Sequence, residues 1–133
     1  MEPIAEQFDY VSPALEVRFG AGRNLEAADA VKSLGGKQAL VLSTPEQEEL
    51  ARDIAARLGD LCGNIFSGAR MHTPVAITEE AMDIVAGERI DCIVSVGGGS
   101  TIGLGKAIAL RTDLPQVAIP TTYAGSEMTN ILG

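Results

Sequence analysis

Gly97, Gly98, Gly99 and Ser100 are the residues with the clearest chemical capacity in this chain. They stand between an apolar run, "DCIVSV", and a run of helical character, "TIGLGKAIAL". Glycine has no Cβ and tolerates positive φ, so a bare backbone at a strand end lets an anion come close. A helix that starts there, near Ser100 or Thr101, turns its unbonded N–H groups and its positive dipole end toward the same point. Ser100 adds a hydroxyl donor. These are the parts of a phosphate cradle. Two familiar phosphate motifs are excluded. A G-x-G-x-x-G starting at Gly97 needs glycine at 102, where Ile102 stands. A P-loop ending at Gly105 and Lys106 needs glycine at 100 and a hydroxyl residue at 107, where Ser100 and Ala107 stand. Lys106 falls about two turns into the expected helix and need not touch a phosphate.

The rest of the chain supplies the elements that must hold this turn. A β-like segment covers 15–19, the Gly-rich "GAGRN" follows, and 25–34 has helical spacing through Leu25, Ala28 and Val31. Gly35 and Gly36 stop that helix. "ALVLS", 39–43, is a short apolar strand. A helix follows it, with Thr44 as the expected N-cap, Pro45 at its first position and acids in its first turn. Leu50, Ile54 and Leu58 make one stripe. "LCGNIF" is a weaker strand, "SGARMHTP" a loop, and helix signals run from Thr73 to Ala86. "DCIVSV" and "PQVAIP" are further strands. Strands alternate with helices, and the strands are apolar runs rather than alternating patterns. The expected fold is therefore α/β, a Rossmann-like parallel sheet with helices on both faces. In such a sheet ligands bind beyond the carboxyl ends of the strands, where Gly97 falls.

The totals narrow the function. One domain fits 133 residues, and aromatics are only 4%, so aliphatic side chains fill the core. The formal net charge of −8 is wrong for a phosphate-backbone binder, so no nucleic-acid partner is expected. No run is long and apolar enough for a membrane span, and the opening "MEPIAEQFDY" lacks the features of a signal peptide. No membrane partner is expected, and the chain reads as cytoplasmic. Cys62 and Cys92 have no metal spacing and are expected as reduced, buried thiols. The only histidine, His72, sits in the "SGARMHTP" loop, and one histidine makes no metal site.

"VSVGGGSTIGLGK", with "AIPTTYAGSEMT" after it, resembles the iron-containing alcohol dehydrogenase superfamily, and within it the maleylacetate reductases. The superfamily pattern is GGGS-x-x-D-x-x-K followed by PTT-x-x-x-GSE. Gly97, Gly98, Gly99, Ser100 and Lys106 match; Gly103 stands at the aspartate, and "PTTYAGSE" is shorter than the alcohol dehydrogenase form. Both departures resemble the maleylacetate reductase version, and "VRFGAG" resembles the family's opening strand and turn. The resemblance implies that residues 1–133 are an N-terminal NAD(P)-binding domain of the dehydroquinate synthase-like kind. An all-helical C-terminal domain, not present here, would follow it. In metal-dependent relatives that domain supplies an aspartate and histidines to the metal, so no metal site is expected in this chain alone.

The resemblance also implies that Gly97, Gly98, Gly99 and Ser100 hold the pyrophosphate of NADH or NADPH. Thr121 and Thr122 would lie beside the ribose or nicotinamide, with Ser126 also near the cofactor. Ser43 and Thr44 end the second strand, where an acid often grips the adenosine ribose; neutral Thr44 leaves NADPH acceptable. Tyr123 and His72 are the catalytic candidates, and Glu127 also faces the substrate side. Arg23, Arg70 and Lys106 are candidate partners for a dicarboxylate substrate. The implied activity is reduction of maleylacetate to 3-oxoadipate in aromatic compound degradation, by a homodimer in the full-length protein. The alternatives are a nucleotide-binding module without catalysis, and another alcohol or glycerol dehydrogenase of the same superfamily.

Overall fold

The structure, a computed structural model, describes residues 15–17 and 27–120 of the chain. Among these residues five parallel strands make one sheet: β1 (Leu15–Val17), β2 (Ala39–Leu42), β3 (Cys62–Phe66), β4 (Cys92–Gly97) and β5 (Gln116–Pro120). Their order across the sheet is β1-β5-β4-β2-β3. Among the described residues four α-helices accompany them: α1 (Ala27–Ser33), α2 (Glu48–Leu58), α3 (Val75–Gly87) and α4 (Gly99–Thr112). No helix among the described residues is long and apolar enough to cross a membrane.

The apolar runs of β2 and β4 follow from their place at the centre. Every residue of both strands is buried. Ala39, Val41, Cys92, Val94 and Val96 face α1 and α2, packing with Val31, Ala51, Ile54 and Leu58. Leu40, Leu42 and Ile93 point the other way, against Ala81, Val85, Leu104 and Ile108 of α3 and α4. A strand covered on both faces has no reason to alternate with polar residues. Each fully buried Leu or Ile contributes about 1.5–3 kcal/mol relative to exposure.

The helix boundaries have local causes. Gly36 N–H donates to Val31 O at 2.9 Å and Gly35 N–H to Lys32 O at 3.0 Å, with Gly35 at φ 81°. That pair of bonds is a Schellman stop, which requires the left-handed conformation glycine adopts without strain. The start of α2 corrects the sequence reading. Thr44 is an N-cap and Pro45 a first position, as expected, but of a 3₁₀ turn, Pro45–Gln47, that precedes α2 at Glu48, and Thr44 makes no side-chain cap bond. Pro45 fixes its own φ and lacks an N–H, so it opens the tight turn, which Gln47 N–H closes on Thr44 O at 3.1 Å. Likewise α3 begins at Val75 behind Pro74, not at Thr73, because His72 (φ 65°) and Thr73 (φ 44°) hold left-handed backbone.

Cys92 is buried as expected, and burial, with the Asp91 carboxylate beside it, pushes its thiol up to about 12. Cys62 is only half-buried, because β3 is an edge strand; partial burial raises its thiol as well.

Candidate functional site

The strand order creates one crevice. From β2 the chain moves outward to β3, and from β4 it moves the opposite way to β5. Adjacent strands whose connections diverge leave an opening between the following loops, at the carboxyl ends. Here those strands are β2 and β4, in register with Leu42 beside Ser95. That register brings Ser43 and Thr44, which follow β2, level with the end of β4 at Val96 and Gly97. Residues the sequence separates by more than fifty positions thus meet at the switch point.

Gly97 ends β4 with φ 143°, a conformation close to glycine's alone. A Cβ built on it would lie 2.8 Å from Thr101 Oγ1 and 3.3 Å from Thr101 Cβ. Gly98 is the N-cap of α4 and supplies no side-chain cap. The first bond inside the helix runs from Ile102 N–H to Gly98 O at 3.0 Å. The N–H groups of Gly99, Ser100 and Thr101 precede that bond and have no acceptor within the helix. Gly98, Gly99 and Ser100 are half-buried, not sealed inside. The turn therefore offers amide donors at the positive end of a 14-residue helix.

Buried hydroxyls flank this turn. Ser43 and Thr101 are fully buried, and neither hydroxyl has a hydrogen-bond partner. Buried polar groups are nearly always paired, so unpaired ones at a crevice mark a place where a polar ligand belongs. The loop after β3 is tied to the same end of the sheet: Ser43 N–H donates to Phe66 O at 3.0 Å, and Ala69 N–H to Ser43 O at 3.1 Å. Arg70 and His72, the next charged or titratable residues along, are exposed. Thr44 is half-buried beside Ser43.

Lys106, a candidate partner for the substrate, lies on the buried side of its helix. It is a residue of α4 and only 8% exposed. Ser95 and Gln116 are buried against the neighbouring Gly105, where a Cβ would fall against Ser95 Oγ and 3.1 Å from Gln116 Oε1. Gly105 is glycine because α4 lies that close to β4. The candidates Thr121, Thr122, Tyr123, Ser126 and Glu127, and Arg23, lie outside the described residues; β5 ends at Pro120, paired with Gly97.

The profile of the family described as iron-containing alcohol dehydrogenase matches residues 14–133. The chain belongs to that family. Within the family, the chain is 53% identical over 128 residues to a maleylacetate reductase of Rhizobium sp. strain MTP-10005, covering 96% of this chain and 36% of the relative. The crystal structure of maleylacetate reductase from that strain superposes with a TM-score of 0.84 at 52% identity, over 97% of this chain and 36% of the other. The maleylacetate reductase structure from Agrobacterium tumefaciens gives 0.82 at 50% identity, over 95% and 35%. The chain therefore spans about a third of the length of the relatives it matches.

The family name carries iron, and the donors described here do not fit it. Among the described residues no three His, Cys, Asp or Glu side chains converge to hold a metal ion. A dinucleotide does fit, on the observations already made: uncapped amides, a glycine in a conformation other residues avoid, and orphaned buried hydroxyls.

Sequence reasoning missed Thr101, which directly follows "GGGS" and so could have been read as part of the turn. It also missed Asp91, at the opposite end of the sheet. The Asp91 carboxylate accepts from Lys37 N–H at 3.0 Å and from Gln38 N–H at 2.9 Å. An acid just before an apolar run was its only signal.

Proposed function

We propose that residues 1–133 are the NAD(P)-binding domain of a reductase that uses NADH or NADPH to convert maleylacetate to 3-oxoadipate. The observation that carries this reading is the uncapped start of α4 behind Gly97, at the switch point between β2 and β4. The kinship with maleylacetate reductases supports the choice of substrate. The dinucleotide, once bound, supplies the hydride; this chain supplies binding and orientation. Gly97 lets the diphosphate approach the backbone, the amides of Gly99 and Ser100 hold it, and Ser100 adds a hydroxyl. Ser43 and Thr44 meet the adenosine ribose, with Thr121, Thr122 and Ser126 along the rest of the cofactor. No acid stands at Ser43 or Thr44, so a 2′-phosphate is not repelled and NADPH is accepted beside NADH. The dicarboxylate substrate needs cationic partners, for which Arg23, Arg70 and Lys106 are the candidates. Tyr123 and His72 remain the catalytic candidates, and a homodimer of the whole protein is the proposed assembly.

A second reading follows from the share of length covered. The substrate cleft of a protein about three times longer need not be complete in this third. NADPH is titrated into the chain, and NADPH oxidation is then followed with maleylacetate supplied. Binding with turnover supports the reductase. Binding without turnover supports a nucleotide-binding module that contributes only its half. A folded chain that binds neither NADH nor NADPH removes both readings.

A further inference from the structure

Four buried hydroxyls among the described residues lack a hydrogen-bond partner: Ser43, Thr73, Ser95 and Thr101. Ser95 faces Gly105 inside the protein, and Thr73 belongs to the loop after β3. Ser43 directly follows β2 and already has a place in the proposed site. Thr101 has none, yet its position is the most directed of the four. It is 0% exposed and is the third residue of α4. Side chains at that position reach back over the N-cap, as the glutamate of a capping box does. Thr101 Oγ1 does so here, being the atom nearest to where a Cβ of Gly97 would sit, 2.8 Å away. A threonine that only filled space would serve equally well as valine. A buried hydroxyl with no protein acceptor carries a desolvation cost, unless something in the working molecule meets it.

We propose that Thr101 is a positioning residue of the dinucleotide site, its hydroxyl joining the bound diphosphate through one water molecule seated beside Gly97. This rests on the proposed nucleotide binding. Glycine at 97 is needed twice on this view: for its φ, and because a side chain would cover the Thr101 hydroxyl. Such a water has the partners it requires in Thr101 Oγ1, the free amides of the turn and a phosphate oxygen. Thr101 thus acts on the cofactor without touching it.

The test compares Thr101→Val, which keeps the shape and removes the hydroxyl, with Thr101→Ser, which keeps the hydroxyl. Thermal unfolding establishes that both variants are folded. NADPH, ADP and adenosine are titrated into each. Thr101→Val is expected to bind NADPH and ADP about tenfold more weakly, the scale of a bond to a charged group. Adenosine, which has no phosphate, is expected to bind with unchanged affinity. Thr101→Ser is expected to restore NADPH binding to within about threefold of the parent chain. Equal NADPH affinity in Thr101→Val and the parent chain overturns the proposal while leaving nucleotide binding intact. Equal losses for adenosine and ADP also overturn it, because they show a general structural fault. A parent chain that binds no NADPH removes the nucleotide site itself, and this inference with it.

Discussion

The two ends of the sheet are built on opposite plans. At the amino end the chain is closed. The Asp91 carboxylate accepts both Lys37 and Gln38 amides, and Asp91 N–H returns a bond to Gln38 O at 2.9 Å, so β2 and β4 are tied together where they begin. Gly36 packs so tightly there that a Cβ would lie 2.8 Å from Val31 Cγ1 and 2.9 Å from Cys92 Cβ. At the carboxyl end the same two strands finish with unspent capacity: an uncapped helix, a glycine at φ 143° and two unpaired buried hydroxyls. One end spends its polar groups on the fold, and the other withholds them. In a parallel sheet all strands finish on one side, so the division follows from the topology.

Substitutions at the two ends should separate stability from binding. The largest effect is expected from Gly97→Val at the carboxyl end. It forces a β-branched side chain into a conformation close to glycine's alone and against Thr101, which costs about 1–3 kcal/mol and blocks the anion's approach. NADPH binding is expected to weaken about a hundredfold, read by cofactor fluorescence. Asp91→Ala should do the reverse. It leaves two amides without their charged acceptor, lowering stability by about 2 kcal/mol in urea unfolding, while NADPH affinity stays within about twofold. A loss of affinity matching the Gly97 variant would erase the contrast.

Thr44→Asp sharpens the carboxyl end further. A carboxylate beside the ribose is expected to weaken NADPH about tenfold and to spare NADH. In the parent chain, a preference for NADH above about a hundredfold would contradict the role given to neutral Thr44. The last contrast belongs to the closed end and is confined to alkaline pH. The unfolded Cys92 thiol ionises near 9.0, whereas the folded one keeps its proton to about 12. Between those values the unfolded state binds fewer protons, so stability falls as pH rises from about 9 toward about 12. Urea midpoints should show that slope, reduced in Cys92→Ala.

The layers were legible because burial on both faces writes continuous apolar runs, as in "ALVL" and "CIVSV". The turn from β4 into α4 was legible because glycines in series between an apolar run and a helical one mark a bare backbone at a strand end. The strand order was not, since no local pattern says that β3 lies outside β2 while β5 lies beyond β4. Without that order, nothing in the chain joins Ser43 to Gly97. Pro45 was placed correctly at the opening of its turn, but the extra 3₁₀ turn before α2 depends on how the chain leaves the sheet. The burial of Lys106 escaped because helical spacing gives a face, not the depth of the element packed against it.

Amide chemical shifts of the isotope-labelled chain, followed as NADPH is added, compare both ends in one experiment. The largest changes are expected at Gly97, Gly98, Gly99 and Ser100, with Lys37, Gln38 and Asp91 nearly still. Large changes at those three, with the glycine turn unmoved, would contradict the assignment of the nucleotide to the carboxyl end.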